Sequence, residues 1–257
     1  MNKENVMLWS KNSFTLCALV ALLLCFSSHL IASPGKRDLI NAVERGSLSQ
    51  VRALLNQSDR TIEAHDKSEA LLSSIQQGHE GIAKLLIASG SDANVRAEDG
   101  YSALMLATRN DRIGIVQALL DAGADINAAG DDGMTALMVA SQRNHMEIAR
   151  LLLDSSVDVD AANDAGVTAL MLASQMGNQI VIQYLLQANA QINSQAKNGA
   201  TALMLAAQNG HQAATMVLLA GGADVNIEAE NGATALLLAK VYKHKGVVDL
   251  LRKAGAK

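Results

Sequence analysis

Methionine, histidine and aspartate recur in this chain at positions where, in another setting, they would do chemistry. Met105, Met138, Met171 and Met204 follow one another at 33-residue intervals, a ladder of thioethers that could bind a soft metal or capture an oxidant. Packed helices lie about 8–10 Å apart, so methionines one interval apart cannot share an ion. Adaptable core filling is the better reading of the ladder. His79, His145, His211 and His244 also share one position of the interval. Imidazoles hold a metal at about 2 Å, so the same separation rules out a common site. Asp125, Asp158 and Asp224 belong to a recurring Gly-x-Asp turn, which gives their repetition a structural cause. The two cysteines, Cys17 and Cys25, both fall in the first 26 residues, leaving no thiol for a disulfide or metal site beyond them. No nucleophile elbow, phosphate loop or metalloprotease helix is present. The sequence therefore offers no catalytic, cofactor-binding or metal-binding residues, and reads as a non-enzyme.

The elements that carry these residues follow from the interval itself. Gly100, Gly133, Gly166, Gly199 and Gly232 are 33 residues apart, as are Leu104, Leu137, Leu170, Leu203 and Leu236. Five copies without an insertion mark a repeat protein. Asp99–Gly100, Asp132–Gly133, Asn198–Gly199 and Asn231–Gly232 are tight-turn pairs suited to a hairpin tip between repeats. Ser102, Thr135, Thr168, Thr201 and Thr234 follow at helix-start positions, where a hydroxyl can accept from an unpaired backbone N–H. Apolar runs such as 148–153 and 181–186 supply a second helix. Gly123, Gly222 and Gly255, with Ser156 and Asn189 in the same slot, end that helix where a left-handed residue is expected. Only 2% of the chain is aromatic against 49% hydrophobic, so the core is aliphatic and suits thin, closely stacked helices.

The net charge of −4 and the lack of a basic stripe exclude a nucleic-acid groove. Lys240, Lys243 and Lys245 form the nearest approach to a basic cluster and read as a solvated chain end. At the other end, Lys3 and Lys11 precede an apolar stretch from Leu16 to Phe26 and a small-residue exit at Ala32. This is the layout of a signal peptide over residues 1–32, cleaved after Ala32. The apolar run is short of the roughly 20 residues that span a bilayer, and an uncleaved inner-membrane anchor is the alternative. Neither cysteine follows a small residue, as lipid attachment requires.

The segment 198–230, with Asn-Gly-Ala-Thr-Ala-Leu-Met-Leu-Ala at its start and Gly-Gly-Ala-Asp-Val-Asn near its end, resembles an ankyrin repeat. Two weaker copies precede the five, one near Lys67 with Gly78–His79 and one near Arg37 with Leu39 and Gly46. The resemblance covers residues 36 to 257 and implies an all-α solenoid of about seven helix-turn-helix repeats with hairpin loops. Its units fall at about 36–66, 67–98, 99–131, 132–163, 164–197, 198–230 and 231–257, within a domain of residues 33–257. The family's proline is alanine throughout, and its motif histidine is Met105, Met138, Met171, Met204 and Leu237. The tie which that histidine supplies in the family is therefore expected to be replaced by thioether packing.

The resemblance further implies a non-catalytic scaffold that binds another protein through its hairpin tips and the concave face of its first helices. Mapped onto this chain, the tips include Glu98, Tyr101, Asp131 and Met134. The concave positions include Arg109, Asn110, Gln142, Arg143, Gln175, Met176, Gln208, Asn209 and Tyr242. Tyr101 and Tyr242 stand out because exposed tyrosine is enriched among interface hot spots. With the leader, the expectation is a monomeric bacterial scaffold in the periplasm, or secreted, that takes a protein partner, no cofactor, no nucleic acid and no membrane beyond the leader. An immunity protein against an envelope-acting toxin and a secreted effector that binds host proteins are alternatives on the same fold.

Overall fold

The structure, a computed structural model, describes residues 34–57 and 62–257; the signal segment expected at 1–32 lies outside the described residues. Among the described residues, fourteen helices form seven consecutive pairs: α1 (Pro34–Glu44) with α2 (Leu48–Leu55), α3 (Ala64–Gln77) with α4 (Glu80–Ala88), and α5 (Ala103–Arg109) with α6 (Ile113–Asp121). They continue with α7 (Ala136–Arg143) and α8 (Met146–Leu153), then α9 (Ala169–Met176) and α10 (Gln179–Gln187). The last pairs are α11 (Ala202–Gln208) with α12 (Gln212–Ala220), and α13 (Ala235–Val241) with α14 (Lys245–Lys253). Each first helix packs on its own second helix and on the first helices of neighbouring pairs, and the second helices stack likewise. The result is a linear two-layer solenoid, as the 33-residue interval requires. No helix among the described residues is long and apolar enough to cross a membrane.

The short first helices start where the sequence places a hydroxyl. Ser102, Thr135, Thr168, Thr201 and Thr234 each accept a hydrogen bond from the backbone N–H three residues on, at 3.2–3.4 Å. Each cap satisfies a donor that the first turn leaves unpaired. The residues after the cap are then buried on almost every side: Ala169, Leu170, Met171, Leu172 and Ala173 all belong to the core. Small alanines let adjacent first helices approach, and leucine and methionine fill what remains. Met105, Met138, Met171 and Met204 are at most 2% exposed, which makes the thioether ladder a packing feature.

Between the pairs, hairpin loops run back on themselves through bonds such as Ala196 N–H to Ala200 C=O and Ala229 N–H to Ala233 C=O. Successive tips are joined as well. The N–H groups of Asp164, Lys197 and Glu230 donate to the carbonyls of Asp132, Ala165 and Asn198. Gly133, Gly166 and Gly199 have positive φ, and a Cβ on any of them would come within 3 Å of the next tip's backbone. Glycine is needed there for both reasons.

A second ladder runs along the opposite turn. The side-chain carbonyls of Asn94, Asn127 and Asn193 accept from the N–H groups of Asp125, Asp158 and Asp224, 31 residues on in each case. Asp160 does the same for Gln191, and Asn226 for Lys257. The Gly-x-Asp aspartates fold the turn locally: Asp125 and Asp224 accept from the N–H two residues on. Their repetition is thus structural, as expected.

Ser156 and Asn189 adopt the left-handed conformation, at φ 58° and 63°, where other repeats carry Gly123, Gly222 and Gly255. Serine has no compensation for the steric cost of its Cβ there. Ser156→Gly is expected to stabilise the fold by about 0.5–1 kcal/mol, net of glycine's larger unfolded-state entropy. A thermal melt that is unchanged or lowered would overturn that assignment.

Candidate functional site

The recurrent histidines sit at the turn between paired helices, each reaching back to the preceding repeat. The His211 Nε2 lies 2.9 Å from the Gln175 carbonyl, and the His244 Nε2 lies 2.9 Å from that of Gln208. A carbonyl can only accept, so Nε2 is the donor in both contacts. The rings also cover Gly177 and Gly210, where a Cβ would collide with imidazole atoms. Asn178 takes the same place one repeat earlier, donating from Nδ2 to the Ser141 and Gln142 carbonyls at 2.7 and 3.2 Å. Arg112 lies over Gly78, while Asn110 donates to the Ile75 carbonyl at 3.1 Å. At His145 the preceding cap residue is Asp111, and the pair meets at 3.3 Å.

The methionines pack where the family's motif histidine would form its tie, and this column adds hydrogen-bonded ties at the inter-helix turn, where the left-handed cap of one repeat leaves room for the next repeat's side chain. The histidines are consumed in that role. Among the described residues, no group of three or more His, Cys, Asp or Glu is arranged to hold a metal ion.

The residues expected to meet a partner fall on one side of the stack, along the trough between the hairpins and the first helices. Near its amino-terminal end, Arg109 sits over the Tyr101 ring at 5.2 Å and reaches Asp99 at 3.7 Å. The cation–π contact and the ion pair hold an arginine and a tyrosine, both half-buried, in one arrangement. Beside them Glu69, Ser73, Gln76, Glu98 and Asp99 line a cavity of about 460 Å³. Toward the other end, Asn198, Gln208, Glu230 and Asn231 rim a cavity of about 210 Å³ floored by Met204, Leu205 and Leu238. Tyr242, 52% exposed, stacks on His244 and places its hydroxyl 3.5 Å from Gln208 Nε2. Between these ends Gln142, Arg143, Gln175, Met176 and Asn209 are exposed, as are Glu98 and Asp131 at the tips.

Two of the expected contact residues are otherwise engaged. Met134 is buried at 9% exposure, because the Asn163 amide of the next hairpin lies over its sulfur at 3.7 Å. Its place at a tip is real, but the neighbouring tip covers it. Asn110 is half-buried and commits its amide to Ile75. Sequence spacing placed both residues on the right loop or helix; only the neighbour's position shows them to be occupied.

A stack of helix pairs whose hairpins and first helices border a polar trough is a repeat scaffold, with a surface for another macromolecule. The family model described as ankyrin repeats (3 copies) matches residues 39–130, 127–196 and 181–257, and the chain belongs to this family. No individual curated protein matches it. Ankyrin repeats are protein–protein interaction scaffolds and are generally non-catalytic.

Loss of a turn tie should be felt through two repeats. His211→Ala is expected to cost about 1–2 kcal/mol in urea unfolding, by unpairing the Gln175 carbonyl and opening space over Gly177. His211→Asn should recover much of that, since Asn178 makes the equivalent bond; equal loss in both variants would refute the tie.

Proposed function

We propose that this chain is an exported bacterial scaffold that holds another envelope protein along the trough between its hairpin tips and first helices. The observation that carries the reading is a division of labour. The recurrent histidines and asparagines are spent on contacts between repeats, whereas Glu98, Asp131, Gln142, Arg143, Gln175, Met176, Asn209 and Tyr242 stay exposed and Tyr101, Arg109 and Gln208 are half-buried. Tyr101 with Arg109 forms a preorganised aromatic–cation pair, the residue types that dominate binding energy at interfaces. Acidic tips at Glu98, Asp99, Asp131 and Asp132 add a field that steers a partner with a basic rim.

The leader features of residues 1–32 support export, with the periplasm as the destination and protection of another exported protein, such as an oxidative-stress enzyme, as the role. Cleavage after Ala32 removes Trp9, the one tryptophan of the chain. The envelope form should therefore show no tryptophan emission, and persistent emission would indicate an uncleaved anchor.

Binding is tested by capture from periplasmic extract. Tyr101→Ala and Arg109→Ala are each expected to weaken retention of the captured protein about tenfold. Retention that is indifferent to these changes, to Tyr242→Ala and to charge reversal along the trough would place the binding face elsewhere.

A further inference from the structure

The last helix pair differs from those before it at the positions a following repeat would cover. Thr108, Ser141, Ser174 and Ala207 share one position of the repeat and are 0% exposed. The next residue in that series is Lys240. Lys243 holds the left-handed cap, at φ 62°, that glycine holds at 177 and 210. Arg252 stands where Leu120, Leu153, Leu186 and Leu219 stand in earlier repeats. Burying these cations under a further repeat would be costly.

A terminal cap needs only a polar outer face, and this one is not uniformly polar. Leu237, 47% exposed, continues the series of buried methionines, and Val241 and Tyr242 are 63% and 52% exposed. Leu237 shares a helix face with Lys240 and Val241, three and four residues on. Beside them Lys240, Lys243, Lys245 and Arg252 surround a groove of about 400 Å³ over Ala239 and Val248, with Asp249 as its one acidic wall residue. None of these four cations makes an ion pair among the described residues. With Lys253 and Lys257 they oppose Asp249 as the only acid after Glu230, in a chain whose net charge is −4. The carboxy-terminal end is therefore a basic pole on an acidic body.

We propose that this end face docks an acidic segment of a partner protein, a short stretch in which aspartate or glutamate alternates with aliphatic side chains. The cations pair with its carboxylates, and the groove floor and the Leu237–Val241 strip take its apolar side chains. A second copy joined end to end is disfavoured because like ends meet with like charge. An anionic bilayer is disfavoured because the apolar floor is recessed between cations, and because the body of the chain is acidic.

The test uses fluorescence anisotropy of the purified protein with a labelled peptide of alternating glutamate and leucine. A lysine–leucine peptide, phosphatidylglycerol vesicles and sedimentation of the protein alone form the other arms. Saturable binding of the acidic peptide is expected, falling with added salt and weakened about tenfold by Lys240→Glu with Arg252→Glu. Val241→Ser should weaken it too, whereas Tyr101→Ala should leave it unchanged, which separates this face from the Tyr101–Arg109 end of the trough. If the double reversal lowers the melting temperature, Lys240→Gln and Val241→Ser decide the matter. The proposal is overturned by absent binding, by equal binding of the basic peptide, or by indifference to the end-face variants. Binding to vesicles alone, or a dimer abolished by charge reversal, overturns it in favour of a membrane or a second copy.

Discussion

Helices of seven to nine residues, such as those from α5 onward, are far too short to persist in water alone, because nucleation costs more than so few hydrogen bonds return. Each depends on the faces that the adjoining pairs present. That dependence on neighbours governs the molecule: it sets the constant interval, keeps the first helices rich in alanine, and makes the methionines buried packing. Stability in such an array is a sum over pair-to-pair interfaces.

The same constraint sorts polar residues into two populations. One is consumed by the stack: the capping hydroxyls, the asparagine ladder from Asn94 to Asn226, and the turn column of His211, His244 and Asn178. The other is left facing solvent along the trough and at the carboxy-terminal end. Among the described residues, the buried hydroxyls of Thr108, Ser141 and Ser174 have no hydrogen-bond partner. They lie at the position filled by Ala207 in the next repeat, and all four are small side chains at a closely packed interface.

Much of this was legible before any coordinates. The caps, the positive-φ turns and the left-handed Ser156 and Asn189 are local matters, decided within a few residues by backbone sterics and one side-chain bond. Trough residues such as Gln142 and Gln175 could be placed from phase alone, since exposure follows the helical period. Met134 and Asn110 could not, because what covers or engages them belongs to a different repeat. The asparagine of the Gly-x-Asp-x-Asn turn was visible as a recurring letter, yet its 31-residue reach to the next turn's N–H was not.

The chain's own pattern was enough to define the solenoid, its phase and its family, because each repeat obeys the same short-range rules and repetition averages away the ambiguity of any one copy. Tertiary structure decided how the copies bind one another and what the two faces of the stack offer. Lys240, Lys243 and Lys245 read in sequence as a solvated chain end. They line one groove with Arg252 because the helix pair folds two separate segments together. Contacts across a repeat boundary arise between residues about 31 to 37 positions apart, and no local rule of propensity or periodicity reports which atoms meet there.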